Sequence, residues 1–184
     1  TSGCALVLAG FAGGASVEEM CAGAFSGTGG SQIEWRASGS GARVAPSTMA
    51  GMFKGCENVG AADLSGMPAA SADVSGMFEG VGGMDSAVMG GAGLEAGVLR
   101  LPEGWDLSGV SDASRMWAES GFRSVEVAGL SDGTGVDLTG AFAGAERLER
   151  VALGGEPEGY VASLRGAFAG CPVLKDVDLS GLST

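Results

Sequence analysis

Apolar positions along this chain recur in a constant order around glycine-flanked aromatics. GAFSGT (23–28), GMFKGC (51–56), GMFEGV (76–81), GAFAGA (140–145) and GAFAGC (166–171) are copies of one hexamer, and RMWAES (115–120) keeps its apolar–aromatic pair as Met116-Trp117 without the glycines. The anchors Phe25, Phe53, Phe78, Trp117, Phe142 and Phe168 lie 28, 25, 39, 25 and 26 residues apart. One repeat of roughly 25 residues, interrupted once by an insertion near 90–104, accounts for all of them.

Downstream of each anchor, apolar residues fall at offsets six, nine and eleven: Val59, Ala62 and Leu64; Met84, Ala87 and Met89; Leu148, Val151 and Leu153; Leu174, Val177 and Leu179. The tryptophan copy is one residue short, with Phe122, Val125 and Val127. The final step is the period-two alternation of a strand with one buried face. Gly or Ser-Gly follows, as at Ser65-Gly66 and Ser180-Gly181, and predicts a turn. Upstream, apolar residues stand four and one before the anchor, from Cys21 and Ala24 through Met49 and Met52 to Leu164 and Ala167. That spacing predicts a helix of about two turns, held only by its neighbours and ended by a positive-φ glycine two residues past the aromatic. CALVLAGFAGG (4–14) reads as a buried strand and turn.

A unit of short helix, turn, strand and turn cannot bury its own apolar face, but stacked units can. The expected fold is α/β: a single leucine-rich-repeat-like solenoid spanning 1–184, with short parallel strands on one face and short helices or turns on the other. Composition agrees. The 36 glycines among 184 residues far exceed the usual share of about 7%, and in a periodic chain they mark recurring tight corners.

Charge and missing residue types narrow the function. Net charge is −12 with only 10 Lys plus Arg, which excludes a phosphate-binding footprint, disfavours anionic lipid and suits a basic protein surface. No run of about 18 apolar residues is present to span a membrane. The chain has no histidine, so the commonest general base and zinc ligand are both missing. Cys4, Cys21, Cys56 and Cys171 form no CxxC pair. Cys56 and Cys171 hold equivalent places four repeats apart, beyond the roughly 7 Å Cα reach of a disulfide, whereas the state of Cys4 and Cys21 is left open. Small buried thiols are the expected role.

At WDLSGVSDASRMW (105–117), MFKGCENVGAADLSGM (52–67) and AFAGCPVLKDVDLSGL (167–182), the chain resembles the BspA-like leucine-rich repeats of bacterial surface lipoproteins, which also occur in protists and algae. The likeness covers about 45–184 and departs in the loss of most Asn and Thr, in the 90–104 insertion and at the Trp117 copy. It implies an extracellular or cell-surface protein engaged in adhesion or protein binding.

Stacked strands would align the residue between the Val-like and Leu-like positions as an outward column: Asp63, Val88, Glu126, Ala152 and Asp178. Its carboxylates could take calcium or a basic ligand, but outward acids spaced by neutral residues are ordinarily only solvated. Trp35 and Trp105 lie off the anchor register and are the candidate exposed aromatics, whereas Met116-Trp117 belongs to the core. GTGG (27–30) and GGAG (90–93) lack the strand and helix context of a phosphate loop.

The expectation is therefore a non-enzymatic protein-interaction or adhesion module with no cofactor, no metal and no catalytic residue. The alternative is an accessory structural subunit inside a larger assembly, in an organelle or otherwise embedded. The strand at the end of the array carries no polar cap, so a covered end or a longer parent chain is expected. Carboxylate-based glycoside hydrolysis would need an acid pair in a cleft, for which there is no signal.

Overall fold

The computed structural model describes residues 5–9, 31–36, 48–67, 70, 72–91, 93–103, 105, 109–128, 135–154, 159–180 and 182–183. Eleven strands are described: β1 (Ala5–Ala9), β2 (Ser31–Arg36), β3 (Val59–Asp63), β4 (Ser86–Met89), β5 (Val98–Leu101), β6 (Ser124–Ala128), β7 (Val136–Asp137), β8 (Arg150–Gly154), β9 (Gly159–Ser163), β10 (Asp176–Asp178) and β11 (Leu182–Ser183). Eight form one sheet in the order β1-β2-β3-β5-β4-β6-β8-β10, and β11-β9-β7 form a second. Every pairing is parallel. The strand predicted within 4–14 is β1.

Most of the predicted offsets are core: Val59, Ala62, Leu64, Met84, Ala87, Phe122, Val125, Val127, Leu148, Val151 and Leu153 are buried, whereas Met89, Leu174 and Leu179 are half-buried and Val177 is exposed. Registers such as Val125 with Val151 and Val151 with Val177 align the equivalent positions of neighbouring strands. The anchors stack in chain order: Phe53 on Phe78 at 5.7 Å, Phe78 on Trp117 at 6.5 Å, Trp117 on Phe142 at 5.1 Å and Phe142 on Phe168 at 5.5 Å, with interplanar angles of 3°, 20°, 5° and 7°. Each near-parallel pair contributes about 0.5–1.5 kcal/mol beyond the area it buries. Phe25 lies outside the described residues.

The predicted helices are absent among the described residues, and the hydrogen bonding shows why. In the first described copy the Lys54 and Cys56 amides close three-residue turns onto the Gly51 and Phe53 carbonyls. The Gly51, Phe53 and Gly55 amides instead reach the Ser75, Met77 and Glu79 carbonyls of the next copy at 2.8–2.9 Å. Alternate amides thus point inward and outward, which an i→i−4 ladder would not allow. Positive φ at Gly51 (58°) and Gly55 (70°) turns the chain this way, so the glycine after the aromatic has the expected sign of φ but continues a series of turns instead of ending a helix. Spacing of three and four buries one face of such turns as well as of a helix, hence the misreading.

The tryptophan copy keeps this backbone without glycine. Arg115 and Glu119 adopt φ of 54° and 56°, a conformation costing an L-residue roughly 1–2 kcal/mol. Part of that cost is offset where Arg115 bridges Glu79 at 2.8 Å and Glu119 at 2.9 Å.

The insertion corrects a second expectation. It supplies β5, which lies between β3 and β4, so strand order departs from chain order at this one place. Trp105, expected exposed, is 4% accessible and belongs to the core. After β5 the chain folds inward through buried Leu101 and Pro102, and the Trp105 amide returns to the Pro102 carbonyl at 3.2 Å.

Asp-x-Ser/Thr steps begin the turns. Asp63, Asp73, Asp112, Asp137 and Asp178 each accept, through one carboxylate oxygen, the amide two residues on, at 2.8–3.0 Å. Thr48 and Ser163 do the same with a hydroxyl. Five of the 22 acidic residues are thus engaged in local turn geometry.

Candidate interaction surface

Strand register aligns the residues of the expected column in two runs, with Glu34 and Arg100 as members the sequence did not indicate. Register places Glu34 beside Asp63, Asp63 beside Arg100, Arg100 beside Val88, Glu126 beside Ala152 and Ala152 beside Asp178. Arg100 of β5 therefore separates Asp63 from Val88. The period-two run Val98-Leu99-Arg100-Leu101 carried the signal for it but was absorbed into an insertion.

Asp63 is not a free acid, because it is only 7% exposed. One carboxylate oxygen holds the Ser65 amide and the other the Gly93 amide. Burial pushes its pKa up, but the Ser65 and Gly93 hydrogen bonds and the Arg100 charge outweigh it, leaving the carboxyl below its ordinary value. Arg100 donates to the Gly93 and Gly90 carbonyls at 3.2 and 3.4 Å and pairs with Glu95. These two side chains pin the glycine-rich segment 90–97 over the sheet face. Close contact is required there: a Cβ on Gly91 would come within 2.7 Å of the Arg100 guanidinium. The pinned segment presents Leu94, one of the few large apolar side chains exposed among the described residues.

Further along the column Val88 and Ala152 are half-buried, and Glu126 and Asp178 are exposed. Glu126 pairs with Arg150 at 3.5 Å, and Arg150 reaches Asp176 at 3.7 Å. Hydrogen bonds from Ser180, then the Arg150 charge, hold Asp178 below its ordinary pKa. From β3 to β10 the carboxylates are separated by neutral or basic residues, although Glu34 stands beside Asp63, and among the described residues no group of acids or thiols is arranged to hold a metal ion. Trp35 lies in β2 opposite Leu8; its surroundings lie outside the described residues.

Beside the column, the residues preceding β4, β6, β8 and β10 form a second row of alternating sign. Arg123 contacts Asp85 at 3.4 Å and Glu149 at 3.2 Å, and Lys175 meets Glu149 at 2.6 Å. The Lys175 hydrogen bond and charge, with help from Arg123, lower the Glu149 pKa. Exposed pairs of this kind contribute little individually, about 0–1 kcal/mol, but they set register and surface potential.

Cys56 is a buried thiol, and the half-buried Cys171 thiol donates to the Phe142 carbonyl at 3.1 Å while burial raises its pKa. Cys4 and Cys21 lie outside the described residues. No helix among the described residues is long and apolar enough to cross a membrane. Comparison of the chain with protein-family models, with curated proteins and with solved structures finds no match.

Proposed function

We propose that this chain is a non-enzymatic protein-interaction module, a leucine-rich-repeat-like solenoid of the BspA-like kind acting as one domain at a cell surface or outside the cell. The observation that carries the reading is the pinned segment 90–97. Asp63 and Arg100 spend their hydrogen bonds on holding Leu94 and Glu95 out from the sheet face. A loop ordered in advance loses little entropy on binding, which favours recognition of a partner. The exposed acids Glu95 on it, and Glu126 and Asp178 further along the sheet on β6 and β10, suit a basic protein surface, while turnover is unsupported by any nucleophile–base pair in a chain without histidine.

The test is affinity capture from native material with wild-type, Leu94→Asp and Glu126→Lys chains of equal thermal stability. A partner held by the wild type and lost by both variants supports the reading. Capture indifferent to both substitutions would place the contact elsewhere. The second reading, an accessory subunit packed within a larger assembly, is favoured by the apolar β10 end, where Val173 and Val177 are 41% and 40% exposed.

A further inference from the structure

The position four residues past each anchor is Glu57, Gly82, Gly121 and Glu146 in the Phe53, Phe78, Trp117 and Phe142 copies. Two bare positions therefore lie between two acids. With Gly80 and Gly144 they floor an open groove of about 520 Å³ that runs across these copies, with Glu119 and Arg147 also on its walls. Gly82 is imposed by packing, since a Cβ there would lie 2.3 Å from the Glu57 carbonyl oxygen. Gly121 is not. Its φ is outside the left-handed region, and a Cβ would meet only ordinary contacts, the nearest being the Gly82 Cα at 3.4 Å. The fold would accept a side chain at 121, and its absence is what keeps the groove open.

The floor is fixed before anything lies on it. The Gly82 and Gly121 amides donate to the Cys56 and Val81 carbonyls at 3.1 and 2.7 Å, and the Ser120 hydroxyl turns inward to the Trp117 carbonyl at 2.7 Å. A surface ordered in this way loses little entropy on binding. Its charges, by contrast, are not all engaged. Glu79, Asp85, Glu119, Glu126 and Glu149 each have a cationic partner, whereas the exposed Glu57 and Glu146 form no ion pair among the described residues. Arg147 does not neutralise them, because it is held by Asp85 at 2.7 Å. Past Glu146 and Arg147 a second groove continues over Pro172, Val173 and Leu174, so the trench passes from an acidic stretch to an apolar one.

Three steps along the stack separate Glu57 from Glu146, roughly 15 Å at about 4.8 Å per step. In an extended chain, residues four apart point to the same side and lie about 13 Å from one another, a span that Lys and Arg side chains easily adjust. We propose that this trench takes an extended segment of a partner protein that carries two Lys or Arg residues four positions apart, one for Glu57 and one for Glu146, with an apolar residue beyond the latter. The backbone of the segment lies over Gly82 and Gly121, where a side chain would hold it off. None of the lining residues belongs to segment 90–97, so this contact is separate from the one proposed there.

The experiment is fluorescence anisotropy on the full chain at physiological ionic strength, with a short labelled Ser/Thr peptide that carries lysines four positions apart flanked by leucine. Its control has the same composition with the lysines three apart, which sets them on opposite sides when extended. The matched peptide should bind about tenfold or more tighter than the control. Gly121→Leu, which fills the floor, and the double variant Glu57→Gln with Glu146→Gln should each remove that preference. Equal affinity for the two peptides would mean attraction to the net charge of −12 alone and overturns the proposal. So does a matched peptide that fails to bind below millimolar concentration, or a preference that survives Gly121→Leu in a chain of wild-type thermal stability. Should Gly121→Leu not fold, the double variant decides, because both carboxylates are exposed and unpaired: a preference that persists without them overturns the site.

Discussion

Trp117 offers a sharp test of the aromatic row because it combines full burial with an unmet donor. It is 0% exposed, sits between Phe78 and Phe142, and its Nε1 has no hydrogen-bond partner among the described residues. An orphan buried donor costs about 1–3 kcal/mol, which Trp117→Phe recovers. Against this, the smaller ring forfeits about two buried carbons, roughly 1.6 kcal/mol at about 0.8 per methylene, plus a residual cavity. The opposing effects nearly cancel, so Trp117→Phe should lie within about 1 kcal/mol of wild type. Trp117→Ala keeps neither stack and should cost about 3–5 kcal/mol or more. That is a large part of the roughly 5–15 kcal/mol by which a domain is stable. Urea unfolding followed by far-ultraviolet circular dichroism, which does not depend on the tryptophan, measures both. A Phe variant as damaged as the Ala variant, or an Ala variant within 1 kcal/mol of wild type, would refute the stacking argument.

A Cβ at Gly82 would overlap the Glu57 carbonyl oxygen, whereas one at Gly109 meets open space. Gly82→Ala should therefore cost about 1–3 kcal/mol by forcing neighbouring copies apart, and Gly109→Ala should stay within about 0.5, both read from unfolding midpoints. Glu119→Gly relieves a left-handed residue whose side chain is 63% exposed. It should raise stability by up to about 1 kcal/mol, and a comparable loss in thermal denaturation would show that the ion pair to Arg115 matters more than the backbone. For Glu79, burial pushes the carboxyl up, but Arg115 and Lys54 together bring it below its ordinary value. A depressed folded pKa means stability that is present above the unfolded carboxylate range and lost as pH falls through the folded value. Glu79→Gln should accordingly be less stable at neutral pH and flatter on acidification, in urea titrations compared at pH 7 and pH 3.

The order of apolar positions was enough to place β1, β3, β4, β6, β8 and β10, most of the buried offsets and the aromatic row, because those depend only on which side chains must leave water and how often they recur. Phe53, Phe78, Trp117, Phe142 and Phe168 were legible as one series for that reason. The backbone of the turns was not legible, since spacing of three and four buries one face of a helix or of successive turns alike. What decided between them was the supply of carbonyls on the next copy, Ser75, Met77 and Glu79 for the first one, and such acceptors exist only once the copies are side by side. The outward column was likewise half visible. Asp63 and Asp178 look equivalent in sequence, yet Asp63 is covered because β5 and the segment 90–97 fold back across it, whereas Asp178 stays in water at the β10 edge. Trp105 was assigned outward because it breaks the period, and it is buried because the chain turns inward after β5 through Leu101 and Pro102. Local pattern determines what each segment would bury; which neighbour completes its hydrogen bonds is settled only by assembly of the whole sheet.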